Sequence, residues 1–86
     1  MSLISDNKKE KIRMDVLRFL YDEYPKMLYT YEVADALTRN DEFILGLLIE
    51  LRDKKAVHWI EETKGGKIKR KWGMNELIYK TYKGLL

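Results

Sequence analysis

Five basic side chains surround a Gly-Gly pair near the carboxyl end of the sequence, and they are its strongest candidates for chemistry. Lysine and arginine bind phosphate groups, and each such contact releases counterions and makes binding depend on salt. We therefore expect this cluster to contact the phosphates of a nucleic acid. Its members are Lys64, Lys67, Lys69, Arg70 and Lys71, and the glycines are Gly65 and Gly66.

The residue types that catalysis or metal binding would need are scarce. The chain has no cysteine, and His58 is its only histidine, so a zinc site has almost no ligands to draw on. The consecutive acidic pairs Asp22-Glu23, Asp41-Glu42 and Glu61-Glu62 point to different sides of an element, which fits solvated or capping groups better than an acid/base pair. The sequence predicts a protein that is not an enzyme and uses no metal or cofactor.

Size and composition favour a small binding module. The 86 residues suffice for one domain with one modest core, and 45% apolar with 36% charged residues predict a folded chain. The first 56 residues carry ten Lys or Arg against eleven Asp or Glu, whereas the remainder carries seven against three. The positive field therefore belongs to the carboxyl-terminal part.

The sequence also carries hints about location and source. No apolar run approaches the roughly 18 residues of a membrane-spanning helix, and the amino terminus is unlike a signal peptide. Since nothing points to an oxidising compartment, we expect a cytoplasmic protein. Glutamine and cysteine are absent while lysine, glutamate and tyrosine are common, a bias seen in thermophile proteins.

The basic cluster is predicted to lie on a β-hairpin over residues 57–74. Runs rich in β-branched and aromatic residues flank the Gly-Gly pair, which suits a two-residue primed turn with positive φ at its centre. Facing tryptophans are expected to anchor this hairpin to the core rather than to stack on bases. The register that follows pairs Val57 with Met74, Trp59 with Trp72, Glu61 with Arg70 and Glu62 with Lys69.

This register divides the basic cluster into two groups. Lys69 and Arg70 face carboxylates across the strand, so they are expected to form ion pairs. Lys64, Lys67 and Lys71 are expected to remain uncompensated. A hairpin that is merely ion-paired and solvated is the alternative to a phosphate clamp.

Helical spacing of apolar residues predicts three helices before the hairpin and one after it. The first covers about residues 7–24, the second 31–37 with Thr30 as its cap, and the third 41–54 with Asn40 as its cap. A fourth covers 76–85. The third helix is expected to bury Ile44, Leu47, Leu48 and Leu51.

This order of elements resembles the winged helix-turn-helix family over about residues 10–74. The resemblance is carried by residues 30–37 (TYEVADAL), which look like the family's second helix, and by residues 48–57 (LIELRDKKAV), with alanine at 56 where glycine is commoner. It implies an α+β fold of three helices and a β-hairpin wing, here with an added carboxyl-terminal helix. It also implies a transcriptional regulator that binds double-stranded DNA, with the third helix in the major groove and the wing on phosphates.

The third helix fits that role imperfectly. Its exposed side has no basic or amide side chain in the middle to read a base edge. Arg39 and Asn40 offer donors at its start, Phe43 can touch thymine methyl groups, and Gly46 permits close approach of the backbone. An exposed apolar patch there would suit a protein partner, so a winged-helix protein-interaction module using the apolar face of this helix is the alternative. The predicted DNA-binding residues are Tyr29, Thr30, Tyr31, Arg39, Asn40, Phe43, Gly46, Lys64, Lys67, Lys69, Arg70 and Lys71.

The last helix has an apolar stripe with little chain around it to cover it. Its members are Leu77, Ile78, Tyr82 and Leu85. We expect this stripe to be the interface of a homodimer, because paired wings would match a palindromic site. Packing of the stripe against the first helix of the same chain is the alternative.

Overall fold

The fold contains four helices and three strands, and the helices and the hairpin follow one another in the order that the sequence predicts. The structure is a computed structural model that describes residues 6–85. The strands form one antiparallel sheet with the order β1-β3-β2, so β3 is central. The elements are α1 (Asp6–Glu23), β1 (Leu28–Tyr29), α2 (Thr30–Leu37), α3 (Asp41–Asp53), β2 (Val57–Lys64), β3 (Lys67–Met74) and α4 (Glu76–Leu85).

The two caps predicted for the helix-turn-helix have different outcomes. Asn40 caps α3, because its Oδ1 accepts hydrogen bonds from the backbone nitrogens of Glu42 at 2.8 Å and Phe43 at 3.2 Å. The prediction that Thr30 caps α2 is wrong, since α2 begins at Thr30 and Tyr29 occupies the cap position. The Thr30 hydroxyl instead accepts a hydrogen bond at 2.8 Å from Nε1 of Trp72, which a buried indole requires.

The hairpin has the predicted register throughout. Val57 pairs with Met74, Trp59 with Trp72, Glu61 with Arg70 and Glu62 with Lys69. Gly65 and Gly66 both have positive φ, 59° and 78°, as a primed turn requires. We call β2, this turn and β3 the wing.

The core lies between α1, α2, α3 and one face of the sheet. Trp72 is fully buried there and meets Trp59 edge to face, with ring centroids 5.0 Å apart. Trp72 is therefore an anchor of the sheet, as predicted, and is closed to bases. The buried side of α3 is also as predicted, and the core residues are Ile12, Val16, Leu20, Leu28, Val33, Ala34, Ile44, Leu47, Leu48, Leu51, Val57, Trp72 and Met74.

The last helix, α4, packs against the rest of the fold through only one side, which carries Ile78 and Tyr79. The ring of Tyr79 stacks on that of Tyr24 at 3.8 Å between centroids and on that of Tyr21 at 5.0 Å. Ile78 is half-buried against the core, but no residue of α4 is fully buried. Most of the apolar stripe of α4 is therefore left open.

Candidate nucleic-acid interface

The wing exposes three lysines that have no carboxylate partner. Lys64, Lys67 and Lys69 are exposed and form no ion pair with any residue in 6–85. The expected pairing of Lys69 with Glu62 is wrong, because Glu62 pairs diagonally with Nζ of Lys71 at 3.5 Å. The wing cations that form no ion pair within the described residues are therefore Lys64, Lys67 and Lys69, with Lys69 taking the place predicted for Lys71.

Tyr29 explains this change of partner. Since β1 lies beside β3, the ring of Tyr29 crosses the central strand, with Nζ of Lys69 and Lys71 at 5.8 and 5.0 Å from its centroid. Its hydroxyl donates a hydrogen bond to Oε2 of Glu62 at 2.5 Å. This bond holds the Glu62 carboxylate beside Lys71, while the ammonium of Lys69 remains near the ring.

The contact between Tyr29 and Glu62 changes the acidity of both groups. Donation to the carboxylate, with a smaller effect of burial, raises the pKa of Tyr29 to about 12. The same hydrogen bond, assisted by the positive charge of Lys71, lowers the pKa of Glu62. With these pKa values, the phenol stays neutral and the carboxylate stays ionised at neutral pH.

Tyr29→Phe is expected to raise the pKa of Glu62 back toward its ordinary range, because the largest cause of its shift is removed. The lowered pKa gives the folded state a contribution that is present above about pH 4.5 and is lost as the pH falls through the lowered value. The free energy of unfolding of the variant should therefore depend less on acid. An NMR titration of the Glu62 carboxyl carbon measures the pKa directly. Tyr31→Phe is the matched control, and an equal shift in both variants would contradict the assignment.

Two guanidinium groups lie against Trp59 where α3 meets the wing. The Cζ atoms of Arg52 and Arg70 are 3.9 and 4.1 Å from the Trp59 ring centroid. Arg70 pairs with Glu61, as predicted, with its Nε 4.0 Å from Oε1 of Glu61. Arg52 pairs with Asp53, with its Nη2 3.3 Å from Oδ1 of Asp53. Both arginines are thus partly occupied. Arg52 is not among the predicted DNA-binding residues, although its place in the last turn of α3, just before the wing, was an available signal.

A polar cleft opens between α2 and the start of α3. The backbone turns sharply because Thr38 adopts a left-handed conformation, with φ of 55°, and Arg39 donates its backbone N–H to the Ala34 carbonyl at 2.9 Å. Arg39 and Asn40 are both exposed at this turn, and Arg39 has no ion pair within the described part of the chain. The cleft has a volume of about 600 Å³ and is lined by Tyr31, Ala34, Asp35, Thr38, Arg39 and Asp41.

The outer face of α3 carries no positive charge. Because the buried residues of α3 occupy one side of the helix, helical geometry defines the opposite, outward side, which carries Glu42, Gly46, Ile49 and Asp53. Gly46 has open space around it, so close approach to this point is possible. Any reading of bases by side-chain donors is thus confined to the start of the helix.

The apolar residues of α3 are less exposed than the sequence suggests. Phe43, Leu45 and Ile49 are half-buried and pack against the core, and none is among the strongly exposed apolar residues of the described chain. This finding reduces the apolar surface that α3 can offer to a protein partner.

Glu50, at the edge of α3, is neutralised by α1. Its carboxylate accepts hydrogen bonds from Nζ of Lys9 at 3.1 Å and from Nε of Arg13 at 2.9 Å. These hydrogen bonds, that of Arg13 first, lower the pKa of Glu50. Glu50 therefore belongs to the contact between α1 and α3 and adds little to the negative charge of the outer face.

The stripe on α4 continues into a groove against α1. Leu77 is 71% exposed, Tyr82 40% and Leu85 78%, and Met14 of α1 is 61% exposed. Packing of the stripe on α1 within one chain is therefore incomplete. The groove has a volume of about 290 Å³ and is lined by Met14, Leu17, Arg18, Tyr21, Asp22, Met74 and Tyr82.

Residues 6–85 contain neither a membrane-spanning helix nor a cluster of side chains that could hold a metal ion. No helix there is long and apolar enough to cross a membrane. No group of three or more histidine, aspartate or glutamate side chains there is arranged to hold a metal ion.

The fold is shared with solved structures at low sequence identity. No family model and no curated protein matches the sequence. Three solved structures each superpose on this chain with a TM-score of 0.69. Two are S. aureus MepR mutants: one from a multidrug-resistant clinical isolate, with 21% identity over 92% of this chain and 60% of that one, and one bound to an oligodeoxyribonucleotide, with 19% identity over 93% and 63%. The third is a mutant of Lactococcus lactis ZitR, with 15% identity over 99% of this chain and 56% of that one.

These similarities define the class of fold. The chain has the winged helix-turn-helix fold that the sequence predicts, in which α2 and α3 form the helix-turn-helix. It spans about 60% of the length of the MepR chains that it matches.

Proposed function

We propose that this protein is a transcriptional regulator of the cytoplasm, not an enzyme, that binds double-stranded DNA through its wing and the start of α3. The observation that carries the proposal is the set of three unpaired lysines on the wing, Lys64, Lys67 and Lys69. A fold of the same kind in a MepR mutant is bound to an oligodeoxyribonucleotide, which supports DNA as the ligand. The family resemblance supports a role in regulation.

The proposed contacts divide into phosphate binding and base reading. The lysines of the wing neutralise phosphates and supply affinity that is independent of sequence. Arg39 is the principal base reader, since its guanidinium is exposed and unpaired in the described chain and arginine pairs with guanine. Asn40 contributes less, because its Oδ1 already caps α3 and only its amide nitrogen remains for a base.

Three of the predicted DNA-binding residues take smaller parts in this proposal. The Thr30 hydroxyl is engaged by Trp72, Phe43 is half-buried, and Lys71 is paired with Glu62. Tyr31 remains exposed beside the turn, where its hydroxyl can reach a phosphate or sugar, whereas the Tyr29 hydroxyl is already donated to Glu62. With Glu42 and Asp53 on the outer face of α3, we expect modest discrimination between DNA sequences.

Arg39→Ala is expected to reduce the preference for a selected site over a scrambled duplex by about tenfold, because one base contact is worth about 1–3 kcal/mol. A duplex selected from a random pool and its scrambled version, compared by fluorescence anisotropy, measure this ratio. Lys83→Ala is the control of equal charge, since Lys83 is exposed on α4, away from the apolar stripe, and forms no ion pair within residues 6–85. Equal weakening of both duplexes by Arg39→Ala would assign Arg39 to phosphate binding and contradict its role as base reader.

We also propose a homodimer formed through α4. The exposed stripe of Leu77, Tyr82 and Leu85 needs cover, and the groove beside Met14 continues the same apolar surface. Ile78 supports the helix from below by packing against the core. A two-fold dimer would place two wings on one DNA molecule.

The protein-interaction module stays the second candidate for one reason. The outer face of α3 is acidic at Glu42 and Asp53 and apolar at Ile49, which suits a basic partner better than a phosphate backbone. Ile49→Lys separates the two roles. It should abolish capture of a protein partner under this candidate, whereas under the DNA proposal it should leave or strengthen duplex binding.

A further inference from the structure

One face of the sheet points away from the helices and carries a mixed surface. Trp59 and Trp72 point to the core, so the alternation of the strands directs their neighbours Ile60 and Lys71 to the opposite side. Tyr29 of β1 lies beside Lys71, so a row of three side chains crosses the sheet. We call this surface the open face; its residues are Tyr29, His58, Ile60, Glu62, Lys64, Lys67, Lys69 and Lys71, with Tyr31 stacked at its edge.

The open face is strongly basic. It carries four lysines and one carboxylate, and the carboxylate of Glu62 is taken up by Lys71 and the Tyr29 hydroxyl. The three remaining lysines lie toward the tip of the wing. They form a charged strip that can follow a phosphate backbone.

The end of the open face farthest from the hairpin turn offers surfaces on which a nucleobase can stack. The ring of Tyr31 lies nearly parallel to that of Tyr29, at 5.6 Å and 10°, and Tyr31 is 53% exposed. Ile60, at the other end of the row, is 45% exposed. A flat base can therefore stack on the outer side of the Tyr31 ring or lie against Ile60.

We propose that the open face binds single-stranded nucleic acid. Bases stack on Tyr31 and lie against Ile60, while phosphates contact Lys64, Lys67 and Lys69. Only unpaired bases can do this, since the bases of a duplex are stacked on one another and present only their edges. The eight residues of β3 extend over about 27 Å, enough for a strand of several nucleotides. This activity uses no residue of α3, so it does not depend on duplex reading by Arg39.

The first test compares Ile60→Ala with Ile68→Ala. Ile68 is 68% exposed and pairs with Thr63 on the other side of the hairpin, so its truncation removes the same atoms elsewhere. Fluorescein-labelled (dT)10, (rU)10 and a blunt 20-base-pair duplex are titrated by anisotropy at 50 mM salt. Ile60→Ala is expected to weaken single-strand binding several-fold, because a base no longer buries the apolar surface of Ile60, and to change duplex binding less than twofold. Ile68→Ala should change neither, and thermal melting verifies that both variants fold.

The second test separates the ring of Tyr31 from its hydroxyl. Tyr31→Phe keeps the ring and should bind the single strand as the wild type does, whereas Tyr31→Leu should bind about tenfold more weakly. The proposal is overturned if the wild type binds neither single strand, or if Ile60→Ala and Tyr31→Leu both bind with wild-type affinity. Absence of duplex binding with retained single-strand binding would overturn the regulator proposal and leave this one standing.

Discussion

Replacing Lys64, Lys67 and Lys69 together by alanine is expected to weaken binding to every duplex by roughly 100-fold at 100 mM salt. These are the wing lysines without a carboxylate partner in the described chain, so their charge is free to neutralise phosphates. Each lost phosphate contact should lower the slope of log K against log salt by about 0.9, so the triple variant should lose about 3 for each wing that contacts the duplex. Anisotropy titrations at several salt concentrations measure both quantities.

The chain provides two controls for the triple variant. Lys11, Lys80 and Lys83 lie on α1 and α4, so their joint replacement changes the net charge equally without touching the wing. This control should keep most of the affinity. Lys71→Ala should have less effect than any single change among the three, because Lys71 is paired with Glu62. Equal losses in the two triple variants would mean that net charge, and not the wing, determines binding.

Leu77→Glu combined with Leu85→Glu is expected to convert the proposed dimer into a folded monomer. Both side chains are more than two-thirds exposed in the single chain, at 71% and 78%, so carboxylates there should not disturb its fold. In a dimer the same carboxylates would be buried without partners, which should raise the dissociation constant by roughly two orders of magnitude or more. Sedimentation velocity over a range of concentrations measures the dissociation constant.

Lys83→Glu is the control for the dimer prediction, since Lys83 lies on the side of α4 away from the stripe. It should leave the association state unchanged. A palindromic duplex should also bind the monomeric variant more weakly than the wild type, because two linked wings act as one bivalent ligand. A wild-type protein that stays monomeric at 100 times the concentration used for DNA binding would contradict the dimer.

The parts of the fold that are local in sequence could be predicted. The hairpin register follows from the positive φ that Gly65 and Gly66 permit and from the pairing of Trp59 with Trp72, all within 18 residues. Asn40 capped α3 as predicted for the same reason, since a cap and its helix are adjacent. The buried side of α3 could be predicted because four of its six leucine and isoleucine residues recur at helical spacing and so share one side of the helix: Ile44, Leu47, Leu48 and Leu51.

The contacts that shape the candidate site join distant parts of the chain. Tyr29 meets Glu62 only because the sheet places β1 against β3, and this contact decides which lysine is free. The Thr30 hydroxyl is similarly taken by Trp72, 42 residues away. Neither partner follows from spacing or type, because many acceptors in the sequence could satisfy the same donor.

The exposure of individual apolar side chains could not be predicted from the sequence either. Periodicity identifies which side of a helix is buried, but whether flanking residues are covered depends on their neighbours in space. Phe43 and Ile49 are half-covered by the core, whereas Ile60 and Met14 are open. The open apolar surface of the described chain therefore lies on the wing and beside α4 rather than on α3.

Phosphate binding by the wing is tested most directly by titrating the wild-type protein into a mixed-sequence duplex at salt concentrations from about 50 to 200 mM. Fluorescence anisotropy of the labelled duplex gives the dissociation constant at each concentration. A phosphate-binding wing predicts micromolar binding at low salt and a log–log slope of about 3 or more, because at least three lysines release counterions. Absence of binding at the lowest salt, or binding that does not change with salt, would contradict a phosphate-binding wing.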